Sequence, residues 1–567
     1  MRATIRGLLV TACLLLAACS GGGGGESGSA TATASSGPVI VSIGTSPTTL
    51  TVGQSTTVTW TATNAGSCVA SGAWSGTLTV AGTQLVTPTA PGTFTYALTC
   101  NGVTGSTSVV VASGVTPLPT VSLSFAPASV QVGQQATLTW STTDATSCVA
   151  SGAWAGNQAP SGSTGVVRTT AGTYTYTLTC TGPGGTASGS VALGVTSLDR
   201  NAALIVIDSG PPGVNGIINV PFVSVTVCRN GTSACQTIDH VLVDTGSYGL
   251  RLISPGVLDP ALSLPAVTGS AGNPAAECAQ FFSGFMWGSV HRADVKIAGG
   301  TALNLPIQLV ANGSPPLTTI PASCSNTGAN IGSVAALGAN GILGIGLFNQ
   351  DCGATCVSQA VAGTYYDCPS SGCAPTAMPL ASQVSNPVAA FATDNNGVVI
   401  VMPAVPAGGA TTLTGTLIFG VDTQANNTIG GSASVYAADS RGNFTTTYKG
   451  SVLTSSFLDT GSNGLFFPDS TIPLCSVSRG FYCPPSTLSL SAVNTSPNGA
   501  SGTVNFTIEN LQALAGTIRA ASVGGSLGRN PRVRFFDWGM PFFYGRAVYV
   551  AFDGAATQHG TGPYWAY

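Results

Sequence analysis

Charged side chains are scarce in this chain. Lys and Arg together number 16 and Asp and Glu 19 among 567 residues, so charged residues make up 6% and the formal net charge is −3. A nucleic-acid-binding protein needs a basic face, so this composition argues against a nucleic-acid partner. Only 3 histidines are present, which leaves few candidates for a His-based site.

Long helical patterns and long apolar runs are also lacking. Short runs of Val, Thr, Leu and Tyr lie between turns of Gly, Pro and Asn, and Gly alone contributes 75 residues. This composition predicts an all-β fold with many turns. No segment after the N-terminal region predicts a membrane-spanning helix.

Residues 1–19 predict a lipoprotein signal peptide. Arg2 and Arg6 give a basic start, Leu8–Leu16 an apolar core too short to span a bilayer, and Cys19 ends a Leu-Ala-Ala-Cys lipobox. The alternative is an ordinary secretory signal that contains a chance Cys. We expect export and a lipid on Cys19, which would be the only contact with the membrane. Ser20 favours the outer membrane if the cell is Gram-negative.

The chain has 16 cysteines, of which Cys13 lies in the signal peptide and Cys19 carries the lipid. An even number remains, which predicts disulfide bonds in an exported protein. Spacing predicts four local pairs: Cys68 with Cys100, Cys148 with Cys180, Cys228 with Cys235, and Cys475 with Cys483. Pairing stays open for Cys278, Cys324, Cys352, Cys356, Cys368 and Cys373. The last group includes one Cys-x3-Cys spacing that could bind metal, but no His is near it, so we expect disulfides and no metal.

An internal repeat follows a Gly- and Ser-rich stretch over 20–37 that predicts a flexible tether. Two stretches within residues 59–100 recur 80 positions later, each with alternating apolar residues and one Cys pair. The repeats resemble bacterial immunoglobulin-like sandwiches, with modules over 38–113 and 118–196. Their role is either that of a spacer or binding to glycan or cell wall.

One motif occurs twice in the remaining chain. Leu242–Leu250 and Phe457–Leu465 each read as an apolar pair, Asp-Thr-Gly-Ser, any residue, then Gly-Leu. A single copy is no more than a hairpin turn, because Asp and Gly are ordinary turn residues. Two extended copies, 215 residues apart, predict two similar lobes that each give one carboxylate to a shared site.

These motifs resemble those of pepsin-like aspartic peptidases, and further segments agree in the same order. Residues 281–290 resemble the flap hairpin of that family, and 340–347 the strand that crosses beneath the first Asp turn. In the second half, 415–422 and 536–543 resemble the opening and crossing segments of the second lobe. The resemblance implies a bilobal β domain with an N-lobe over 200–375 and a C-lobe over 376–567. The same pair of motifs also resembles an uncharacterised bacterial family of secreted lipoproteins.

The resemblance implies a role for each motif residue. It predicts a catalytic pair, Asp244 and Asp459, that hydrolyses a polypeptide with no cofactor. Its predicted supporting residues are two bracing threonines, two turn glycines and two serines that bond the outer carboxylate oxygens: Thr245, Thr460, Gly246, Gly461, Ser247 and Ser462. Phe282 and Gly284 would belong to the flap. The flap has no Tyr, unlike that family, so the alternative is a catalytically silent protein that binds protein or glycan at the cell envelope. Oligomeric state stays open.

Overall fold

The computed structural model describes residues 37–269, 271–311, 317–478, 480–527 and 534–567. The predicted signal peptide, Cys19 and the tether up to residue 36 lie outside the described residues. The described chain divides into two compact units, one ending at Pro117 and one beginning at Leu118. Within these ranges, every helix is too short or too polar to span a bilayer.

The first unit is a β-sandwich of eight strands. They are β1 Ile40–Ser46, β2 Thr49–Thr51, β3 Thr56–Thr63, β4 Cys68–Gly72, β5 Gly76–Leu78, β6 Ala81–Val86, β7 Gly92–Cys100 and β8 Val103–Ala112. One sheet has the order β1-β3-β6 and the other β2-β8-β7-β4-β5. Trp60 and Trp74 are buried between them with ring centroids 5.1 Å apart, so they form the core of the module and no exposed platform.

The second unit begins with a sandwich of the same topology. Its strands are β9 Thr120–Ala126, β10 Ser129–Gln131, β11 Gln135–Thr143, β12 Ser147–Gly152, β13 Gly156–Gln158, β14 Gly162–Val167, β15 Gly172–Gly182 and β16 Gly185–Thr196. The sheets have the orders β14-β11-β9 and β10-β16-β15-β12-β13. Its disulfide joins Cys148 and Cys180, which lie opposite each other on β12 and β15. The bond therefore lies within one sheet, whereas the antibody disulfide joins two.

The rest of the second unit has two β lobes. Strands of the first half are β17 Ala202–Ile207, β18 Phe222–Cys228, β19 Cys235–Asp244, β20 Tyr248–Ile253, β21 Ala275–Phe281, β22 Gly284–Ile297, β23 Gly300–Val310, β24 Gly341–Ile345, β25 Tyr365–Asp367 and β26 Ala374–Pro375. Those of the second half are β27 Gly397–Met402, β28 Leu413–Phe419, β29 Val435–Ala437, β30 Phe444–Tyr448, β31 Ser451–Asp459, β32 Leu465–Phe466, β33 Leu488–Thr495, β34 Ser501–Ile508, β35 Gly524–Gly525, β36 Asp537–Gly539, β37 Arg546–Ala551, β38 Ala556–Thr557, β39 Gly560–Thr561 and β40 Tyr564–Ala566. Strands thus dominate both lobes.

Helices are few and short among the described residues. The α-helices are α1 Ala322–Ser325, α2 Val334–Leu337 and α3 Ala354–Ser358. Single 3-10 turns occupy Pro260–Leu262, Leu380–Ser382, Val388–Ala390, Ala425–Asn427, Leu511–Ala513 and Met540–Phe543. The predicted all-β class with two lobes is confirmed.

One large sheet passes through both lobes. Its fifteen strands run β26-β25-β21-β22-β23-β20-β24-β19-β18-β17-β28-β27-β37-β40-β29, and a second sheet in the C-lobe runs β34-β33-β30-β31-β36-β32-β35. A single apolar core, rich in Val, Leu, Ile and Phe, extends across the two lobes. This shared core fixes the lobes against each other.

The two lobes repeat one three-strand arrangement around the Asp turns. In the N-lobe, β24 lies parallel to β19 and antiparallel to β20, with Gly344 opposite Asp244. In the C-lobe, β36 lies parallel to β31 and antiparallel to β32, with Gly539 opposite Asp459. A Cβ on Gly539 would lie 2.1 Å from the Gly464 carbonyl oxygen, so only glycine fits this crossing.

Seven disulfides are present, and they account for all fourteen cysteines after Cys19. Disulfide bonding is confirmed, and the four local pairs form as the spacing predicted. The six cysteines left open form Cys278–Cys324, Cys352–Cys356 and Cys368–Cys373. Such a disulfide content is typical of proteins from an extracellular or periplasmic compartment.

Candidate active site

The carboxyl groups of Asp244 and Asp459 meet at the junction of the lobes. A methyl group added at Gly461 would lie 2.7 Å from Asp244 Oδ1 and 3.1 Å from Asp459 Oδ1. One at Gly246 would lie 2.6 Å from Asp459 Cγ. Each turn glycine thus lies directly against the carboxyl group of the other turn. The two inner oxygens are near enough for one water molecule to contact both.

Each carboxyl group accepts two hydrogen bonds from its own turn, one from the glycine N–H and one from the serine hydroxyl. The bonds are Gly246 N to Asp244 Oδ1 at 2.8 Å, Ser247 Oγ to Asp244 Oδ2 at 2.5 Å, Gly461 N to Asp459 Oδ1 at 2.7 Å and Ser462 Oγ to Asp459 Oδ2 at 2.9 Å. The inner oxygens face the other lobe, and the serines hold the outer oxygens. This is the placement that the motif resemblance predicted for the glycines and serines.

The two threonines brace the turns across the lobe junction. Thr460 Oγ1 donates to the Val243 carbonyl at 2.7 Å, and Thr245 Oγ1 donates to the Leu458 carbonyl at 3.0 Å. Each hydroxyl also accepts the backbone N–H of the other threonine, at 3.0 and 3.1 Å. Both threonines are buried, so these four bonds are shielded from water. The brace fixes the separation of the two carboxyl groups.

Among the described residues, no Lys, Arg or His forms an ion pair with Asp244 or Asp459. Burial, the neighbouring Asp244 and a third acid, Asp537, raise the pKa of Asp459 well above its usual range. Asp244 itself is 5% exposed. Burial and the neighbouring acids therefore favour the protonated form of Asp459. No group of three or more His, Cys, Asp or Glu among the described residues could hold a metal ion.

Comparison with known proteins identifies the family of the C-terminal region. A family model described as "Protein of unknown function (DUF3443)" matches residues 197–567. The chain belongs to this family. No curated protein matches it. An aspartic proteinase from Irpex lacteus is similar among solved structures, with 16% identity, coverage of 64% of this chain and 96% of that one, and a TM-score of 0.39.

The flap predicted for the DUF3443 region is the hairpin of β21 and β22. Phe282 at its tip is 91% exposed, and its ring lies 6.4 Å from that of Phe535 in the C-lobe. Phe535 in turn stacks on Phe457, two residues before Asp459. Gly284 has a φ of +155°, and a Cβ there would lie 2.1 Å from the Ala329 carbonyl oxygen. The tip of the hairpin therefore reaches the C-lobe beside the strand that carries Asp459.

Two other aromatic residues of the hairpin face inward. Phe285 and Trp287 are buried in a cluster with the Cys278–Cys324 disulfide, and the indole of Trp287 donates to the Leu317 carbonyl at 2.8 Å. These two side chains anchor the flap to the N-lobe. Phe282 is thus the aromatic side chain that the hairpin presents to the cleft.

A tyrosine near the pair comes from the first motif itself. Tyr248 follows Ser247, and its ring packs edge-on against Phe348 with centroids 5.3 Å apart. Burial raises the pKa of its phenol, and the charges of Asp244 and Asp459 raise it further. The hydroxyl therefore stays protonated near the pair. The repeated motif allows any residue at this position, so no role was predicted for it.

The DUF3443 site also contains Asp537, which sequence analysis missed. It is 7% exposed on β36, and Ser462 Oγ lies 2.7 Å from its Oδ2. The sequence feature that could have indicated it is an acid between two aromatic residues, Phe536 and Trp538. The segment that contains it had been compared only with the crossing strand of the pepsin-like C-lobe. Without the strand register, nothing in the sequence directs that side chain toward Asp459.

Proposed function

We propose that the DUF3443 region of this protein is an aspartic endopeptidase. The observation that carries the proposal is the contact of each turn glycine with the carboxyl group of the opposite turn, Gly246 with Asp459 and Gly461 with Asp244. Two adjacent carboxyl groups at such a junction are suited to polarise one water molecule. An extended polypeptide would approach them beneath the exposed flap tip at Phe282.

The reaction proposed here needs no covalent intermediate. Asp459 holds the shared proton, because its pKa is raised, and Asp244 accepts a proton from the attacking water. The water oxygen bonds to the carbonyl carbon, while the proton of Asp459 passes to the carbonyl oxygen. The tetrahedral diol then collapses: one diol hydroxyl returns its proton to Asp459, the C–N bond breaks, and the leaving nitrogen takes the proton held by Asp244. Activity requires one proton on the pair, so we expect cleavage at acidic to mildly acidic pH.

The test is cleavage of an unfolded protein by the purified whole chain. Asp244→Asn and Asp459→Asn should each abolish cleavage, because an amide cannot accept or hold the required proton. Asp294→Asn is the matched control, since Asp294 is a buried carboxylate that accepts hydrogen bonds from the backbone of Gly231 and Asn304. A mimic with a tetrahedral hydroxyl should inhibit. Equal cleavage by the Asn variants and the parent would refute the proposal.

The flap supports a second candidate function. Phe282 stands at the flap tip, where the pepsin-like family has a Tyr that joins the active-site network, and the hairpin offers no hydroxyl of that kind. A catalytically silent protein that binds protein or glycan at the envelope would keep the cleft without needing that hydroxyl. Binding of an unfolded polypeptide by both the parent and the Asp244→Asn variant, with cleavage by neither, would favour this candidate.

The remaining sequence predictions complete the proposal. We propose export, with a lipid on Cys19 and residues 38–113 and 118–196 as spacer modules that hold the lobes away from the membrane. The second module contacts the lobes directly, since Thr414 donates a hydrogen bond to the Gly133 carbonyl and Leu204 packs on the core of the module. These contacts suit a spacer that is joined to the lobes it carries.

A further inference from the structure

A serine hydroxyl lies between two carboxyl groups in the C-lobe. Ser462 Oγ is 2.9 Å from Asp459 Oδ2 and 2.7 Å from Asp537 Oδ2. Both distances are those of an O–H···O hydrogen bond. A hydroxyl has only one proton to donate. One of the two carboxyl groups must therefore be protonated and donate to Ser462.

The surroundings of the two carboxyl groups decide which one donates. Asp459 Oδ1 accepts the Gly461 N–H at 2.7 Å, which stabilises a negative charge. Asp537 Oδ1 is buried, and no described residue hydrogen-bonds to it. A buried anion with one unpartnered oxygen is costly, so Asp537 is the neutral acid. Its proton points to Ser462, and the Ser462 proton points to Asp459.

The charges around Asp537 agree with this order of donors. Burial raises the pKa of Asp537 to about 8, and the charge of Asp244 adds to that rise although the Ser462 hydrogen bond opposes it. The strands that pair with β36, β31 and β32, carry one titratable group, Asp459. Among the described residues no Lys, Arg or His forms an ion pair with Asp537.

The N-lobe does not repeat this feature. Gly344 and Gly539 occupy the same register position, so Ile342 is the counterpart of Asp537. Ile342 is 2% exposed and cannot donate a proton. Asp537 is thus a difference between the two lobes, whose strands around the Asp turns are otherwise arranged alike. It supports Asp459 and has no counterpart beside Asp244.

We propose that Asp537 is a positioning residue that holds a proton and, through Ser462, keeps a hydrogen-bond donor on the outer oxygen of Asp459. Three carboxyl groups then carry two protons: one on Asp537, and one shared by the inner oxygens of Asp244 and Asp459. When Asp537 loses its proton, the Ser462 hydroxyl turns toward it and Asp459 loses a donor. The catalytic consequence rests on the proposed peptidase function, whereas the arrangement of protons does not.

The first measurement needs no activity. Carbon-13 NMR of the whole chain, labelled at aspartate carboxyl carbons, follows each carboxyl group through a pH titration, and the chain has only 19 acidic residues in all. We expect the Asp537 carboxyl group to stay protonated until about pH 8, beside a second raised titration from Asp459. The Asp537 signal should be absent in Asp537→Asn and Asp537→Ile and present in Asp294→Asn. A titration of Asp537 near pH 4, its ordinary range, would overturn the proposal.

The second measurement is the pH profile of kcat/KM for the same variants. Asp537→Asn cannot ionise and so cannot raise the pKa of Asp459, so the alkaline limb should move to lower pH. Asp537→Ile leaves the Ser462 hydroxyl free to turn away from Asp459, so kcat should fall about tenfold with KM little changed. Ser462→Ala should lower kcat similarly, and adding Asp537→Asn to it should change nothing further. Additive effects would overturn the relay through Ser462.

The two measurements separate the two proposals. If Asp537 is protonated but the chain cleaves nothing, the proposed arrangement of protons is supported and the proposed peptidase function is refuted. If the parent cleaves the substrate while Asp537 is ionised at neutral pH, the peptidase function is supported and the proposed arrangement of protons is refuted. An alkaline limb that is identical in the parent and Asp537→Asn would also count against the role of Asp537.

Discussion

Removing one hydroxyl from the threonine brace should weaken the junction of the lobes. Thr460 is fully buried, and its Oγ1 both donates to the Val243 carbonyl and accepts the Thr245 N–H. Thr460→Val keeps the shape of the side chain and leaves these two backbone groups unpaired. A buried unpaired group costs about 1–3 kcal/mol, so the free energy of unfolding should fall by roughly 2–6 kcal/mol.

The assay is urea unfolding of the whole chain, followed by tryptophan fluorescence, since Trp538 lies on the strand next to Asp459. Thr460→Ser is the matched control, because it keeps the hydroxyl and loses one methyl group, worth about 1 kcal/mol. We expect the Ser variant to lie near the parent and the Val variant far below it. Equal unfolding free energies for the two variants would show that the brace contributes no stability.

Three other predictions follow from the same structure. Gly461→Ala places a Cβ 2.7 Å from Asp244 Oδ1, so binding of a mimic with a tetrahedral hydroxyl should fall at least tenfold by calorimetry, whereas Gly516→Ala, which meets nothing within 4 Å, should bind like the parent. Because the pKa of Asp537 is raised in the folded state, its contribution to the free energy of unfolding is complete below about pH 4. That contribution is lost as pH rises to about 8. In urea unfolding, Asp537→Asn should therefore gain stability over the parent as pH rises through that window, and a constant difference would contradict the shift. Cys19→Ser should move the protein from the membrane fraction to the soluble fraction, and unchanged partition would exclude lipid anchoring.

The carboxyl pair and the residues that hydrogen-bond to it could be predicted from the sequence. Asp, Thr, Gly and Ser sit together in one short turn, so the resemblance to the pepsin-like motif could assign a role to each of them. Thr245 and Thr460 are bonded across 215 residues, yet each could be assigned because its own motif fixes its direction. A single Asp-Thr-Gly-Ser turn is weak evidence, but its second copy allowed the prediction of two lobes.

Features that depend on register or on long-range packing were not predictable. Asp537 faces Asp459 only because β36 pairs with β31 in one register, and a shift of one residue would turn it to the other side. The Cys278–Cys324 disulfide joins residues 46 apart whose approach depends on how the flap folds onto α1. Burial of Trp287 beneath the flap, away from the cleft, follows from that same packing.

The most direct test of the central claim is the initial rate at which the purified chain cleaves an unfolded protein at mildly acidic pH, compared with its Asp244→Asn and Asp459→Asn variants. The Asp294→Asn control and an unfolding measurement on each variant show that the fold is kept. The account predicts cleavage by the parent and the control, and loss of at least a thousandfold in both site variants, because each carboxyl group has an essential proton to accept or donate. No cleavage by the parent, or cleavage that survives either site substitution, would contradict it.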